Sequence, residues 1–250
     1  MALAQATIIT QPTAADLAAV LVADTIKFVG ARLEKSGTVH VAVSGGSLGD
    51  VVLPQLVAAA NEVGADWRAV HVWFADERYL ARGDEERNAS SAVRALRLAQ
   101  DFPAEQLHTV AAAGDSESVE DSARRYHEAL GRMIPFARDL RIPQFDVMLL
   151  GMGPDGHTAS LFPGMPHVDD SSAFALPVHD SPKPPSQRVT LSLPVINASR
   201  FTAVYATGAS KAAALSDALG TNSQNLPIAR VAAAEQLHLY ADAPALGNSE

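Results

Sequence analysis

The feature that most constrains the fold is an alternation of short β-branched apolar runs with longer segments of helical periodicity. Apolar residues recur every three or four positions from Val22 to Leu33, which predicts an amphipathic helix over 14–35. The run at 38–43 follows directly, is rich in valine, and ends at a glycine pair, as a buried strand does. The same alternation continues towards the C-terminus. It is typical of an α/β fold with a doubly wound, mostly parallel sheet.

The other elements are predicted from the same two periodicities. Further helices are expected at about 50–60, 88–99, 116–134 and 209–219, and further strands at 69–75, 145–150, 188–193, 201–207 and 237–241. The stretch 163–185 holds six of the fifteen prolines, so we expect a long loop there with one short strand. We expect a single domain over 1–250, with a disordered C-terminal tail at about 243–250.

Composition narrows the function classes. The 250 residues include no cysteine, which excludes disulfides and thiol catalysis. The net charge of −9 is the wrong sign for a general nucleic-acid binder, so no nucleic-acid partner is expected. No apolar run approaches the roughly 18 residues of a membrane span, and the first ten residues lack a signal-peptide pattern. We therefore expect a cytoplasmic protein without a membrane partner.

Ligands of such sheets bind beyond the carboxyl ends of the strands, so the loops after these strands are the first candidates for a site. The first loop contains Ser44, Gly45, Gly46 and Ser47. Glycines let the backbone approach a ligand, and free amides at the start of the next helix attract phosphate. The alternative is a simple tight turn between a strand and a helix.

The second loop carries Asp76, Glu77 and Arg78 directly after a buried strand. An arginine in this position can bind a phosphate or carboxylate through two parallel hydrogen bonds. The alternative is a structural ion pair of Arg78 with Asp76 or Glu77. The charged run at 84–87 is expected to be a solvated face.

The third loop, at 150–160, is the most informative. Asp155 lies two residues before His157, and a carboxylate beside an imidazole can fix its tautomer and make it a general base. The alternatives are a turn histidine with only local hydrogen bonds, or two ligands of a metal site. No further histidine or carboxylate follows at ligand spacing, so no metal is expected.

The same loop matches the G-x-G-x-x-G pattern of dinucleotide-binding folds, with glycines at 151, 153 and 156. That pattern requires a helix next, whereas Pro163 and Gly164 would end any helix within two turns. A nicotinamide cofactor is therefore not expected. A nucleophilic serine is also poorly supported, because no G-x-S-x-G motif exists.

Three further cations could meet an anionic ligand. Lys183 and Arg188 flank a proline-rich segment, and Lys211 lies just after a strand, at the start of a helix. Lone lysines are usually solvated, which is the alternative for Lys211.

Together these motifs resemble the family of 6-phosphogluconolactonases and glucosamine-6-phosphate deaminases. The stretch LGMGPDGHTASLFPG at 150–164 is highly similar to the lactonase pattern. So are Asp76 to Arg78 with Asn88 ten residues on, the SPKPP segment leading to Arg188, and Gly208 to Lys211. Two departures stand out: Leu48-Gly49 replaces the usual Thr-Pro, and Arg87 replaces a serine before Asn88.

The resemblance implies a modified Rossmann-like fold and hydrolysis of 6-phospho-D-glucono-1,5-lactone in the pentose phosphate pathway, without a cofactor. His157 would be the base, Asp155 would orient it, and Arg78 would stabilise the oxyanion. The remaining site residues would bind the sugar phosphate: Ser44, Gly45, Gly46, Ser47, Asp76, Asn88, Arg188 and Lys211. A monomer or weak homodimer is expected.

Three rival functions remain open at this point. A deaminase-isomerase would use Asp76 to abstract a C2 proton, although the absence of a carboxylate at 158–163 favours the lactonase. A non-catalytic sugar-phosphate sensor would not need His157. A nicotinamide dehydrogenase would need a helix after Gly156.

Overall fold

A computed structural model describes residues 3–220 and 223–247 and contains the expected doubly wound α/β architecture. The central sheet has six strands in the order β1-β9-β8-β5-β2-β3, and every neighbouring pair is parallel. These strands are β1 (Thr7–Gln11), β2 (Val39–Val43), β3 (Val70–Phe74), β5 (Val147–Gly151), β8 (Phe201–Ala206) and β9 (Gln236–Asp242).

Within the described residues six α-helices connect the strands: α1 (Ala14–Ser36), α2 (Leu53–Glu62), α3 (Asn88–Leu96), α4 (Val119–Met133), α5 (Leu193–Asn197) and α6 (Ala212–Leu219). The predicted helices are confirmed with small shifts of their ends. A π-helical turn, Leu48–Val52, precedes α2, and a 3-10 turn, Ala209–Lys211, precedes α6. Helix α1 begins where the Thr13 side chain accepts a hydrogen bond from the Asp16 amide and ends at Gly37, whose positive φ suits glycine.

The helices cover both faces of the sheet and create two cores. On one face α1, α2 and α3 pack on side chains such as Val41, Val43 and Phe74. On the other face α4 and α6 pack on side chains such as Met148 and Leu150. Burial on both faces explains why these strands are continuous apolar runs rather than alternating ones.

A second sheet was not anticipated as a separate unit. Its three antiparallel strands, in the order β4-β7-β6, are β4 (Asp76–Arg78), β7 (Arg188–Leu191) and β6 (Ala175–Val178). The prediction that 76–78 is a loop is therefore wrong, because these residues pair with β7. Arg188 begins strand β7, as the strand predicted over 188–193 requires. Strand β6 is the short strand predicted within 163–185.

Two other differences concern the chain ends. Strand β1 was missed, because its short sequence TIITQ lies at the sheet edge and is largely exposed. The expected disorder from residue 243 is not seen over 243–247, since Pro244–Leu246 form a 3-10 turn and Ala245 is fully buried. The rest of that predicted tail lies outside the described residues. Within the described ranges, no helix has both the length and the apolar character to cross a bilayer.

The chain reverses direction in the sheet between β2 and β5. From β2 it proceeds outward to β3, whereas from β5 it proceeds the other way through β8 to β9. The loops that follow β2 and β5 consequently diverge to opposite faces and leave a crevice at the carboxyl edge. This topology places the first and third candidate loops side by side.

A row of three histidines lies beside Trp73 in the sheet. The rings of His40 and His71 stack at 4.7 Å, and His71 Nδ1 lies 2.8 Å from His108 Nε2. The Trp73 indole donates to His40 Nδ1 at 3.1 Å, which requires an unprotonated nitrogen there. Burial, reinforced by the charges of His71 and His108, lowers the pKa of His40 to about 3, and burial and His71 lower the pKa of His108 to about 4.

The low pKa values of His40 and His108 predict that the fold loses stability in acid. The folded-state pKa of His40 lies below its ordinary value of 6.5, so its stabilising effect is complete above pH 6.5 and is lost as the pH falls towards 3. At pH 5 the loss from His40 alone is about 2 kcal/mol. Urea unfolding at pH 7 and at pH 5 gives the free energy of unfolding at each pH. The wild type should lose stability between pH 7 and pH 5, and His40→Asn should lose about 2 kcal/mol less. The exposed His179→Asn is the control, and an equal decrease in all three proteins would contradict the prediction.

Candidate active site

A cleft of about 380 Å³ opens at the carboxyl edge, where the loops after β2 and β5 diverge. Loops from both sheets line it, so residues far apart in sequence meet there. Of the eleven predicted site residues, ten line this cleft: Ser44, Gly45, Gly46, Ser47, Asp76, Arg78, Asn88, His157, Arg188 and Lys211. The eleventh, Asp155, contacts His157. The structure thus brings all of them together.

Asp155 and His157 form a hydrogen-bonded pair at the cleft wall. His157 Nδ1 lies 2.5 Å from Asp155 Oδ1, so this nitrogen carries the proton and donates it to the carboxylate. The Nε2 atom then holds the lone pair, and it makes no hydrogen bond within the described part of the chain. The glycine turn enforces the arrangement: a Cβ on Gly153 would lie 2.0 Å from the His157 ring.

The electrostatics keep His157 neutral near neutral pH. Burial lowers the pKa of His157, the contact with Asp155 opposes this change, and the charge of Lys183 adds to it. Burial would raise the pKa of Asp155, but the hydrogen bond with His157 and the charges of His157 and Lys183 together lower it. The pair is therefore a neutral imidazole on a carboxylate, the form that can accept a proton at Nε2.

Lys183 is a site residue that the motif reasoning mentioned without giving it a role. Its Nζ lies 3.4 Å from Asp155 Oδ1 and 3.2 Å from His157 Nδ1. Because Nδ1 already donates to Asp155, the ammonium donates to the carboxylate. The signal available in the sequence was the SPKPP segment, but its position beside His157 depends on how β6 and β7 return the chain to the cleft.

Asp76 is held rigidly at the base of the cleft. Its Oδ2 accepts a 2.7 Å hydrogen bond from the Ser160 hydroxyl, and its Oδ1 accepts a 3.4 Å hydrogen bond from Nδ2 of the Asn88 side chain. The side chain is almost fully buried. Both carboxylate oxygens are thus occupied as hydrogen-bond acceptors.

Glu77 is the structural residue of the second loop. Its fully buried carboxylate accepts hydrogen bonds from the backbone amides of Arg78, Asn88 and Ala89, at 2.7–2.9 Å, and so caps helix α3. Arg87 lies 3.4 Å away. Burial raises the pKa of Glu77, and Arg87 and the three amides oppose that change.

Two interpretations are corrected by these contacts. The structural ion pair of the second loop is Glu77 with Arg87, not with Arg78. The run 84–87 is not wholly a solvated face either, because Arg87 is only 4% exposed and donates to the Val110 carbonyl at 2.6 Å. The sequence signal was the departure from serine before Asn88.

The first loop packs directly against the start of α3. A Cβ on Gly45 would lie 1.9 Å from Asn88 Oδ1, and the Asn88 amide is fixed by a 2.8 Å hydrogen bond to the Asp76 carbonyl. Gly46 has φ +62°, which suits glycine. The Ser44 hydroxyl is buried at the cleft and has no hydrogen-bond partner among the described residues. Its hydrogen-bonding capacity is therefore unused in this structure.

Arg78 and Arg188 are directly opposite each other in the β4·β7 pair. Like charges in this position repel, so an anion between them would stabilise both. Burial lowers the pKa of Arg188, the carboxylate of Asp76 opposes this change, and the charge of Arg78 adds to it. Arg188 also donates to the carbonyls of Lys183, Pro184 and Pro185 at 3.0–3.1 Å, and so holds the loop that carries Lys183.

Lys211 completes the cationic lining on the far side. It follows Gly208, whose amide donates to both carboxylate oxygens of Asp242 at 3.0 and 3.1 Å, so the last strand fixes this turn. Burial and the charge of Lys183 lower the pKa of Lys211, and Asp155 opposes the shift. Two of the four lysines of this acidic chain thus line one cleft. Over 3–220 and 223–247, no three histidine or carboxylate side chains are grouped so that they could hold a metal ion.

The fold and cleft define an α/β protein with a histidine–carboxylate pair in a crevice lined by cationic side chains. The family model described as glucosamine-6-phosphate isomerases/6-phosphogluconolactonase matches residues 12–239. The chain belongs to this family, which confirms the resemblance seen in the motifs.

Individual relatives agree. The chain is 40% identical over 193 residues to the 6-phosphogluconolactonase of Mycobacterium tuberculosis, a match that spans 77% of each chain. It is 37% identical over 195 residues to that of Streptomyces coelicolor, covering 77% of this chain and 74% of the relative. The crystal structure of 6-phosphogluconolactonase from Leishmania guyanensis superposes with a TM-score of 0.81 at 27% identity, over 96% of this chain and 97% of that one.

The contact between Gly45 and Asn88 predicts that Gly45→Ala destabilises the fold. Asn88 cannot turn away without losing its hydrogen bond to Asp76, so the overpacking should lower the free energy of unfolding by about 1–3 kcal/mol. Gly30→Ala, in the open interior of α1, is the control and should raise it by up to about 1 kcal/mol. Urea unfolding measures both, and an unchanged Gly45→Ala would show that the two elements are not interlocked.

Proposed function

We propose that the chain hydrolyses 6-phospho-D-glucono-1,5-lactone to 6-phospho-D-gluconate in the pentose phosphate pathway, in the cytoplasm, through general-base activation of water and without a metal. The observation that carries the proposal is His157, whose Nδ1 is bonded to Asp155 and whose Nε2 is free inside a cleft lined by four cations. The family and the names of the relatives supply the substrate class.

A δ-lactone is an activated ester, so water and a base suffice for its hydrolysis. His157 Nε2 accepts a proton from the water that attacks C1, while Asp155 stabilises the imidazolium that forms. The bond between C1 and the ring oxygen then breaks, and the imidazolium returns the proton to that oxygen. The products are the C5 hydroxyl and a carboxylic acid, which releases its proton to solvent.

Arg78 stabilises the negative charge that develops on the C1 oxygen. Arg78 lines the cleft and its guanidinium donates to the Glu86 carbonyl, which fixes its position. One donor of this kind typically contributes about 10²–10³ in rate.

Arg188, Lys211 and the amides of Gly45 and Gly46 bind the 6-phosphate. The buried, unpartnered Ser44 hydroxyl supports this assignment, as does the repulsion between Arg188 and the neighbouring Arg78. Binding energy from the phosphate holds C1 in place against the water, which makes attack effectively intramolecular.

The state of Asp76 favours hydrolysis over the rival deaminase-isomerase reaction. That reaction would need Asp76 as a free base for a C2 proton. Here Ser160 and Asn88 donate hydrogen bonds to its two oxygens, so both positions that would accept the substrate proton are already occupied. By contrast, Nε2 of His157 has no hydrogen-bond partner among residues 3–220 and 223–247 and can accept a proton in the cleft.

The first test follows acid release from freshly made 6-phosphogluconolactone. The wild type should accelerate hydrolysis with and without EDTA, whereas His157→Asn should lower kcat by about 10²–10⁴ at unchanged stability, because the base is lost. The exposed His179→Asn is the matched control. A His157→Asn variant with wild-type turnover would remove this residue from the mechanism, and EDTA-sensitive activity restored by zinc would exclude the metal-free reaction.

The second test separates phosphate binding from chemistry. Lys211→Ala should lower kcat/KM for the phosphorylated lactone about ten- to a hundredfold, since a charged hydrogen bond is worth about 1.5–3 kcal/mol. It should barely change hydrolysis of plain gluconolactone. Lys35→Ala, which makes the same charge change at an exposed position of α1, should affect neither substrate.

Arg188→Ala should likewise lower kcat/KM for the phosphorylated lactone much more than for plain gluconolactone. It should also slow plain gluconolactone somewhat, because Arg188 holds the loop that places Lys183 beside His157. Equal losses on both substrates in the two variants would show that neither residue binds the phosphate.

A further inference from the structure

A second cavity, larger than the catalytic cleft, lies on the other side of helix α3. Its volume is about 780 Å³, and it is enclosed by α3, α4 and the segments 82–87 and 109–115. It shares no lining residue with the cleft. Five of the fifteen arginines of the chain line this arginine cavity: Arg82, Arg87, Arg94, Arg97 and Arg125.

The lining of the arginine cavity is rich in arginine, in a chain whose net charge is −9. Only two carboxylates, Glu85 and Asp115, line it together with the five arginines. Arg82 pairs with Asp115 at 2.9 Å, and Arg94 pairs with Glu85 and, at 3.8 Å, with Asp50. Arg125 pairs with Asp121 at 2.8 Å. Arg97 has no ion-pair partner in the described part of the chain. Exposed ion pairs contribute little to stability, so these arginines can exchange their carboxylate partners for the oxygens of a bound polyanion.

One of the five arginines is buried at the base of the cavity and is held in place by several contacts. Arg87 is buried, pairs with Glu77 and donates to the Val110 carbonyl at 2.6 Å and the Leu80 carbonyl at 3.3 Å. The other four are exposed at the rim, where their long side chains can close over a ligand. One buried cation among four exposed ones distinguishes this cavity from an ordinary solvated surface.

Part of the wall is apolar. Val93 and Ala89 on α3 face the arginines, as do Ala129 and the buried ring of Tyr126 on α4. Such a wall suits the organic part of a ligand and contributes nothing to a bare inorganic ion. The volume lies within the roughly 300–1,000 Å³ that small-molecule sites occupy.

We propose that the arginine cavity binds a small organic diphosphate, with the phosphates on the guanidinium groups and the organic part against the α3–α4 wall. Arginine forks match phosphate oxygens in pairs, so Arg94 in the last turn of α3 and Arg97 directly after its end can bind the same diphosphate. The site is independent of the proposed reaction, because it uses no residue of the catalytic cleft.

Calorimetric titration of the full chain with ADP and with inorganic pyrophosphate, at about 0.15 M salt, tests the proposal. ADP should bind with a dissociation constant below about 1 mM and at least tenfold more tightly than pyrophosphate, because only ADP contacts the apolar wall. Equal affinities would overturn the organic part of the proposal, and the absence of ADP binding would overturn all of it.

Variants distinguish the arginine cavity from the cationic catalytic cleft. Arg94→Gln combined with Arg97→Gln should weaken ADP at least tenfold, since each removes a charged hydrogen bond. Both residues are exposed, so the fold should be retained, and circular dichroism checks it. Lys211→Ala in the cleft, and the exposed Arg138→Gln outside both cavities, should leave ADP binding unchanged. Loss of binding in Lys211→Ala with retention in the double variant would place the anion in the cleft and overturn the proposal.

Discussion

The buried carboxylate of Glu77 is the interaction on which the site depends most. It caps α3 through the amides of Asn88 and Ala89, fixes the Arg78 backbone, and neutralises Arg87. Breaking one partner of such a buried pair typically costs about 3–5 kcal/mol, because an uncompensated charge remains inside. This one carboxylate contacts Asn88, which lines the cleft, and Arg87 and Ala89, which line the arginine cavity. Glu77 itself lines neither cavity, yet it fixes residues of both.

The long, periodic elements of the fold were predictable because a single physical rule governs each of them. Helix α1 and the buried strands β2, β3 and β5 show clear periodicity, and their positions differ from expectation by only one or two residues. Strand β4 was missed because it is three charged residues long, Asp76–Arg78, and pairs only with the distant β7. Strand β1 is short and exposed, so its pairing with β9 decides its structure rather than its own composition.

The site residues likewise fall into those that a local sequence pattern predicts and those whose position depends on distant contacts. Asp155 and His157 are two residues apart, so their contact follows from a local glycine turn and was foreseen. Lys183 reaches them only because the second sheet returns its loop to the cleft, which no local pattern encodes. Arg87 was assigned to a solvated face because burial of a charge depends on a partner, Glu77, ten residues away in sequence but adjacent across β4 and α3.

The pairing of β1 with β9 has a consequence for how the chain is made. Strand β1 lies at the sheet edge and its neighbour in the sheet is β9, so almost the whole chain separates two adjacent strands. At ribosomal rates of about 5–20 residues per second, β1 emerges roughly 10–45 s before its partner exists. During synthesis the strands β2, β3 and β5 can pair, whereas the sheet edge stays open. Strand β9 also supplies Asp242, which accepts a hydrogen bond from the Gly208 amide in the turn that carries Lys211. The cleft is therefore completed in the same final step that pairs β1 with β9.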